Sequence, residues 1–79
     1  LRLLCAGMGY QNGYLDGYEI GLNDFKYHGR TDISTYPLYQ KADRGFNEKW
    51  IYKVVYQRSY RKCFQRGYED GYYRRENIV

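Results

Sequence analysis

CAGMGYQNGYLDGYEIGL, residues 5–22, is the stretch on which the fold turns. Gly9, Gly13, Gly17 and Gly21 recur at every fourth position, and Tyr10, Tyr14, Tyr18 and Leu22 follow them in turn. Ser59, Cys63, Gly67 and Gly71 repeat the device near the other end, followed by Tyr60, Phe64, Tyr68 and Tyr72. Each glycine inside a helix costs about 1 kcal/mol relative to alanine, so four cost this segment about 4 kcal/mol. Another backbone must come close enough to offset that.

The four-residue period is far nearer to a helix than to the alternation of a strand. Tight turns at Asn12-Gly13 and Asp16-Gly17 are the competing reading, but turns do not repeat strictly every four residues. The first predicted helix therefore spans residues 3–28. Gly29 closes it in the left-handed conformation, with Lys26 and His28 at the negative end of the dipole. Residues 29–47 form a connection. Pro37 blocks helix through Tyr36, a short helical turn is expected over 38–43, and Asp43-Arg44-Gly45 reads as a turn. Tyr36, Tyr39 and Phe46 should pack back on the helices. The second predicted helix spans residues 48–75, with Asn47 as N-cap. Its small stripe extends back through Val55 and Ile51, and its aromatic row through Tyr56 and Tyr52.

On an ideal helix a four-residue stripe drifts by about 40° per step, which favours crossing along rows four apart. The expected fold is all-α: an antiparallel two-helix hairpin closely packed through its small-residue stripes, with an aromatic connecting segment, in one domain over 1–79. Gly9, Gly13, Gly17, Gly21, Ser59, Cys63, Gly67 and Gly71 are the helix-packing positions. Small-on-small matching pairs Gly9 with Gly71, Gly13 with Gly67 and Gly17 with Cys63.

Seventy-nine residues sit near the size where a single core is marginal. Leu, Ile, Val and Phe number only sixteen, but twelve tyrosines, three phenylalanines and one tryptophan supply large buriable area. The core is expected to be aromatic. The net charge of +4 is uneven: residues 1–39 sum to −1 and residues 40–79 to +5. Such a balance permits a polyanion partner without demanding one. No apolar run is long enough for a membrane span, and the polar residues between the glycines exclude a lipid-facing helix. The chain opens at Leu1 and not Met, for which a removed signal peptide is the expected explanation.

Two helices alone cannot bury twelve tyrosines, so Tyr10, Tyr14, Tyr18, Tyr56, Tyr60, Phe64, Tyr68 and Tyr72 are the expected self-association surface. Arg58, Lys62 and Arg66 form a basic row. Most such rows are solvated faces; the sharper reading is contact with an acidic glycan or nucleic acid. Cys5 and Cys63 read first as small apolar fillers. An intrachain disulfide would set Gly9 against Ser59 in an antiparallel pair and sacrifice glycine contact; an interchain bond is the remaining option. His28 reads as a helix cap, and Asp32 and Asp43 as caps or arginine partners. No nucleophile–base pair, carboxylate pair or metal-ligand spacing is assembled. No catalytic residue, cofactor or metal is assigned, and the chain is not expected to be an enzyme.

GYQNGYLDGYEIG (9–21), ADRGFN (42–47) and YRKCFQRGYEDGYY (60–73) together resemble a family of small uncharacterised exported bacterial proteins. That family carries GYxxGYxxG repeats and a closing YRxxFxxGYxxGY motif. The resemblance implies an exported, non-enzymatic protein and supplies no catalytic residues. The cysteines and Leu1 to Leu4 stand outside the pattern. The expectation is a secreted, periplasmic or cell-surface structural protein that self-assembles as a homo-oligomer or filament. The alternative is a small polyanion-binding module.

Overall fold

A computed structural model describes residues 5–74, all-helical apart from turns and loops. α1 spans Met8–Tyr27, a short 3-10 turn spans Ile33–Thr35, α2 spans Pro37–Lys41 and α3 spans Lys53–Tyr72. The positions expected to be helical at 3, 4 and 75 lie outside the described residues; residues 5–7, also expected in the first helix, precede α1, whose N-cap is Gly7. α1 ends as anticipated, with Gly29 at φ +85°. The short helix and the turn at Asp43-Arg44-Gly45 also form, the turn closed by Phe46 N–H on the Asp43 carbonyl at 2.9 Å. The second long helix starts later than expected. Asn47 caps a separate turn, accepting from Lys49 N–H at 2.9 Å, and Tyr52 stands at the start of α3.

The two long helices pack closely on one another, and they run parallel. A Cβ built on Gly13 would overlap the carbonyl oxygen of Tyr60; on Gly17, that of Phe64; on Gly21, that of Tyr68. Both numbers rise together, which is a parallel register. From the other side, Gly67 and Gly71 press on the carbonyls of Tyr14 and Tyr18 in the same sense. The antiparallel direction, and the pairings Gly9–Gly71, Gly13–Gly67 and Gly17–Cys63, are thereby corrected. The close seam and its small residues are retained: all six of these helical glycines are buried, as are Ser59 and Cys63. Each glycine faces a carbonyl and not another small residue. The hydrogen in place of its Cβ points at that oxygen, an arrangement worth about 0.5–1 kcal/mol per contact, which helps offset the glycine cost.

GYQNGYLDGYEIGL (9–22) and SYRKCFQRGYEDGY (59–72) are offset by 50 residues, and the contacts respect that repeat. Glycines of α1 touch residues 47 further on, while glycines of α3 touch residues 53 back. The pair thus has an approximate two-fold axis along the helices. The connection breaks it. Residues 28–52 return the chain the length of α1, about 30 Å for 20 residues. They lie over the aromatic row of α3, where Ile33, Tyr36, Tyr39, Phe46 and Ile51 pack against Ala42, Tyr56, Tyr60 and Phe64. Ala42, fully buried with φ +51°, closes α2. Among the described residues no element besides α3 packs on the equivalent row of α1, and the molecule measures 38 × 27 × 13 Å.

Tyr56, Tyr60, Phe64 and Tyr68 are therefore core residues, each 1% exposed or less. Assigning them to self-association is corrected: the connection supplies the second cover that a bare helix pair lacks. Cys5 and Cys63 form an intrachain disulfide with Cα atoms 5.8 Å apart, which corrects the reading as unbonded fillers. The bond costs no glycine contact, because Cys5 precedes α1 and the chain there doubles back. Gly9 lies against Tyr56 and Tyr60, so a continued helix would have carried Cys5 away from residue 63. Among the described residues no helix is long and apolar enough to cross a membrane.

Candidate functional site

The chemistry of the covered face comes from hydroxyls of α3 meeting polar groups of α1 at a constant offset of 44. Asn12 Nδ2 donates to Tyr56 Oη at 2.8 Å, Tyr60 Oη donates to Asp16 Oδ2 at 2.5 Å, and Tyr68 Oη donates to Asp24 Oδ2 at 2.7 Å. At the remaining step, Ile20 packs on the cluster that holds Phe64. The ladder alternates with the seam because rows 12/16/20/24 and 56/60/64/68 flank the glycines on the same side of the pair. The connection completes it: Arg44 Nε donates to Asp16 at 2.6 Å, and Tyr56 Oη donates to the Arg44 carbonyl.

Asp24 is the most enclosed carboxylate, 1% exposed. Its Oδ2 accepts from Tyr36 at 2.5 Å as well as from Tyr68, and its Oδ1 lies 3.3 Å from His28 Nδ1. Burial alone would raise its pKa; the bonds from Tyr36, Tyr68 and His28 outweigh that and hold it below the usual carboxylate value. Tyr68 moves the other way, pushed up to about 12 by burial and then by its bond to Asp24. Burial and a carboxylate partner likewise raise Tyr60, beside Asp16, and Tyr14, beside Asp70. A buried carboxylate held by the Tyr36 and Tyr68 hydroxyls acts as a structural anchor. None of these networks was anticipated. The signal available was Asn12, Asp16 and Asp24 on the row next to the glycines.

Beside this cluster opens a shallow cavity of about 370 Å³ lined by Arg30, Tyr68 and Glu69 among others. Arg30 is already engaged. It pairs with Glu69 and lies over the rings of Tyr68, Tyr72 and Tyr73 at 5.7, 5.9 and 5.5 Å.

The other face carries the remaining sequence-predicted positions, and there Tyr14 is buried at 8% exposed, which corrects its assignment to self-association. Tyr14 Oη donates to Asp70 at 2.8 Å, and Arg66 Nε lies 3.6 Å from the same carboxylate. Tyr10, Tyr18 and Leu22 are half-buried, and Tyr72 is half-buried at the far end against Phe25. Lys62 and Arg58 continue the Arg66 row one and two turns earlier, both exposed. The structure therefore brings the basic row and the α1 tyrosines to one face, and takes the α3 aromatics away from it. Comparison with protein-family models, curated proteins and solved structures finds no match for this chain.

Proposed function

We propose that this is an extracytoplasmic structural protein that associates with copies of itself through the open side of α1. The observation that carries the reading is an apolar stripe there. Leu15, Tyr18, Leu22 and Phe25 follow the 3-4-3 spacing of a heptad seam, with Met8 one heptad before Leu15. Leu15 is 52% exposed, Phe25 45% and Met8 47%, so among the described residues no partner helix of the kind such spacing serves covers the seam. A stripe of this kind is self-complementary and supports a closed two-fold pair in preference to an open fibre. The Cys5–Cys63 bond supports the compartment, since structural disulfides persist in oxidising surroundings. The resemblance of the repeat motifs to exported proteins agrees with it.

Sedimentation equilibrium tests this. The wild-type chain should dimerise at micromolar concentration. Leu15→Glu should be monomeric with unchanged helix content, because Leu15 touches solvent and not the core. A wild-type chain that stays monomeric at several hundred micromolar sinks the proposal.

A second reading, polyanion binding, is favoured by the distribution of cations. Arg30, Arg44 and Arg61 are tied to Glu69, to Asp16 and to the carbonyls of Tyr39 and Gln40, whereas Arg58 and Lys62 stand exposed beside the α1 tyrosines. Binding to heparin or single-stranded DNA that falls steeply with salt, and is lost in Arg58→Ala/Lys62→Ala, would support it.

A further inference from the structure

The parallel direction gathers the start of both long helices at one end of the molecule, and that end is apolar. Trp50 is 70% exposed, Tyr52 83%, Val54 61% and Val55 38%, and Met8, the first residue of α1, is exposed too. The neighbours Ile51 and Tyr56 point into the core. Because Tyr56 is buried and Ile51 partly so, the intervening large side chains are driven outward together. Lys49, Lys53 and Arg58 surround this tip, all exposed; Glu48 and Asp43 offset part of the charge, Asp43 lying 4.0 Å from Lys53. Neither α1 nor α3 has an acidic residue in its first turn or a side-chain cap, so the backbone adds to the positive sign there.

From this we infer that the tip docks on the surface of an anionic lipid bilayer, lying in the interface without spanning it. Tryptophan and tyrosine settle at headgroup depth, where an apolar ring and a polar edge are both satisfied. Lysine and arginine around them meet lipid phosphates. A second copy fits this end poorly. Its cross-section of 27 × 13 Å, about 350 Å², is under half of the roughly 800 Å² per partner that a stable dimer buries. A convex tip can still sink its side chains into a soft interface.

Trp50 is the sole tryptophan and reports directly. The full-length oxidised protein is titrated with vesicles of equal parts phosphatidylglycerol and phosphatidylcholine, and with phosphatidylcholine alone. Anionic vesicles should shift Trp50 emission to the blue and protect it from iodide, with weaker effect as salt rises. Lys49→Gln and Lys53→Gln should each weaken partitioning about fivefold. Tyr52→Ser/Val54→Ser should abolish the shift while leaving helix content intact, since both side chains face solvent. Leu15→Glu should bind vesicles like wild type, which separates this surface from the self-association stripe. An emission unchanged at saturating anionic lipid overturns the inference. So does a Trp50 already shielded from iodide without lipid, which would mean that protein covers the tip.

Discussion

Tyr68 and Asp24 meet at 2.7 Å across 44 residues of chain, and Tyr60 with Asp16 and Tyr56 with Asn12 repeat that separation. Three hydroxyl contacts at one offset can form together only if α1 and α3 run the same way. Reversing α3 would keep at most one of them. The glycines make the helices close; the tyrosines and their partners choose the direction.

The direction can be measured. Spin labels carried on ketone-bearing unnatural residues at Met8 and Val54 should lie near each other, leaving the disulfide untouched. Labels at Met8 and Tyr73 should be separated by about the 30 Å length of a 20-residue helix. An antiparallel pair would give the reverse by double electron–electron resonance.

Gly17→Ala should invert an ordinary effect. In a free helix interior the change gains about 1 kcal/mol. Here the new methyl group would strike the backbone of Phe64, which cannot swing aside. A loss of about 1–3 kcal/mol is expected from urea denaturation, whereas Asn23→Ala on the exposed side of α1 should be neutral or slightly stabilising.

Alkali should unfold the protein through its core tyrosines. In the unfolded chain they ionise near pH 10, but in the folded state Tyr68 holds its proton to about 12, for burial and then Asp24 disfavour the phenolate. The unfolded state therefore releases protons first, and stability is complete below pH 10 and falls as pH rises from 10 to about 12. Asp24 works at the other extreme. Its folded pKa lies below 3.8, so its contribution is present above that value and is lost as pH falls beneath it. Urea midpoints measured against pH should show both limbs, and Tyr68→Phe should make the alkaline one shallower, Tyr14 and Tyr60 carrying the rest.

Reducing the Cys5–Cys63 bond should lower stability without changing the fold. It joins residues 58 apart, and releasing a loop of that length costs about 4 kcal/mol in the chain-entropy account. Thermal melts with and without dithiothreitol, alongside Cys5→Ser/Cys63→Ser, should shift together while far-ultraviolet dichroism at low temperature stays the same.

Much of the architecture was legible in the residues. The spacing of Gly9 through Gly21 located α1 and its seam, Gly29 its end, and Pro37 the start of α2. The direction was misread because a four-residue stripe of small side chains matches its partner equally well either way round. The length of the connection held the missing information: 25 residues separate Tyr27 from Lys53, while antiparallel neighbours are normally joined by 2–8. The tyrosines of α3 looked unhideable for the same reason. A connection obliged to return the length of α1 must cross something, and Tyr56, Tyr60 and Tyr68 lie beneath it. Of the α1 row that the tyrosines single out, Tyr14 is buried and Tyr10 and Tyr18 are half-buried, and the heptad spacing of Leu15, Tyr18, Leu22 and Phe25 only gains meaning once the exposed side of the helix is known.

The parallel register also sets the order in which this chain can acquire structure. Seam contacts join residues 47 or 53 apart, so α1, weakened by four glycines, has nothing to lean on until α3 is present. Helical proteins usually fold fast because their contacts are local. This one has the contact range of a β-sandwich, and its rate-limiting step should be the late arrival of α3, with α1 staying open until α3 has been made.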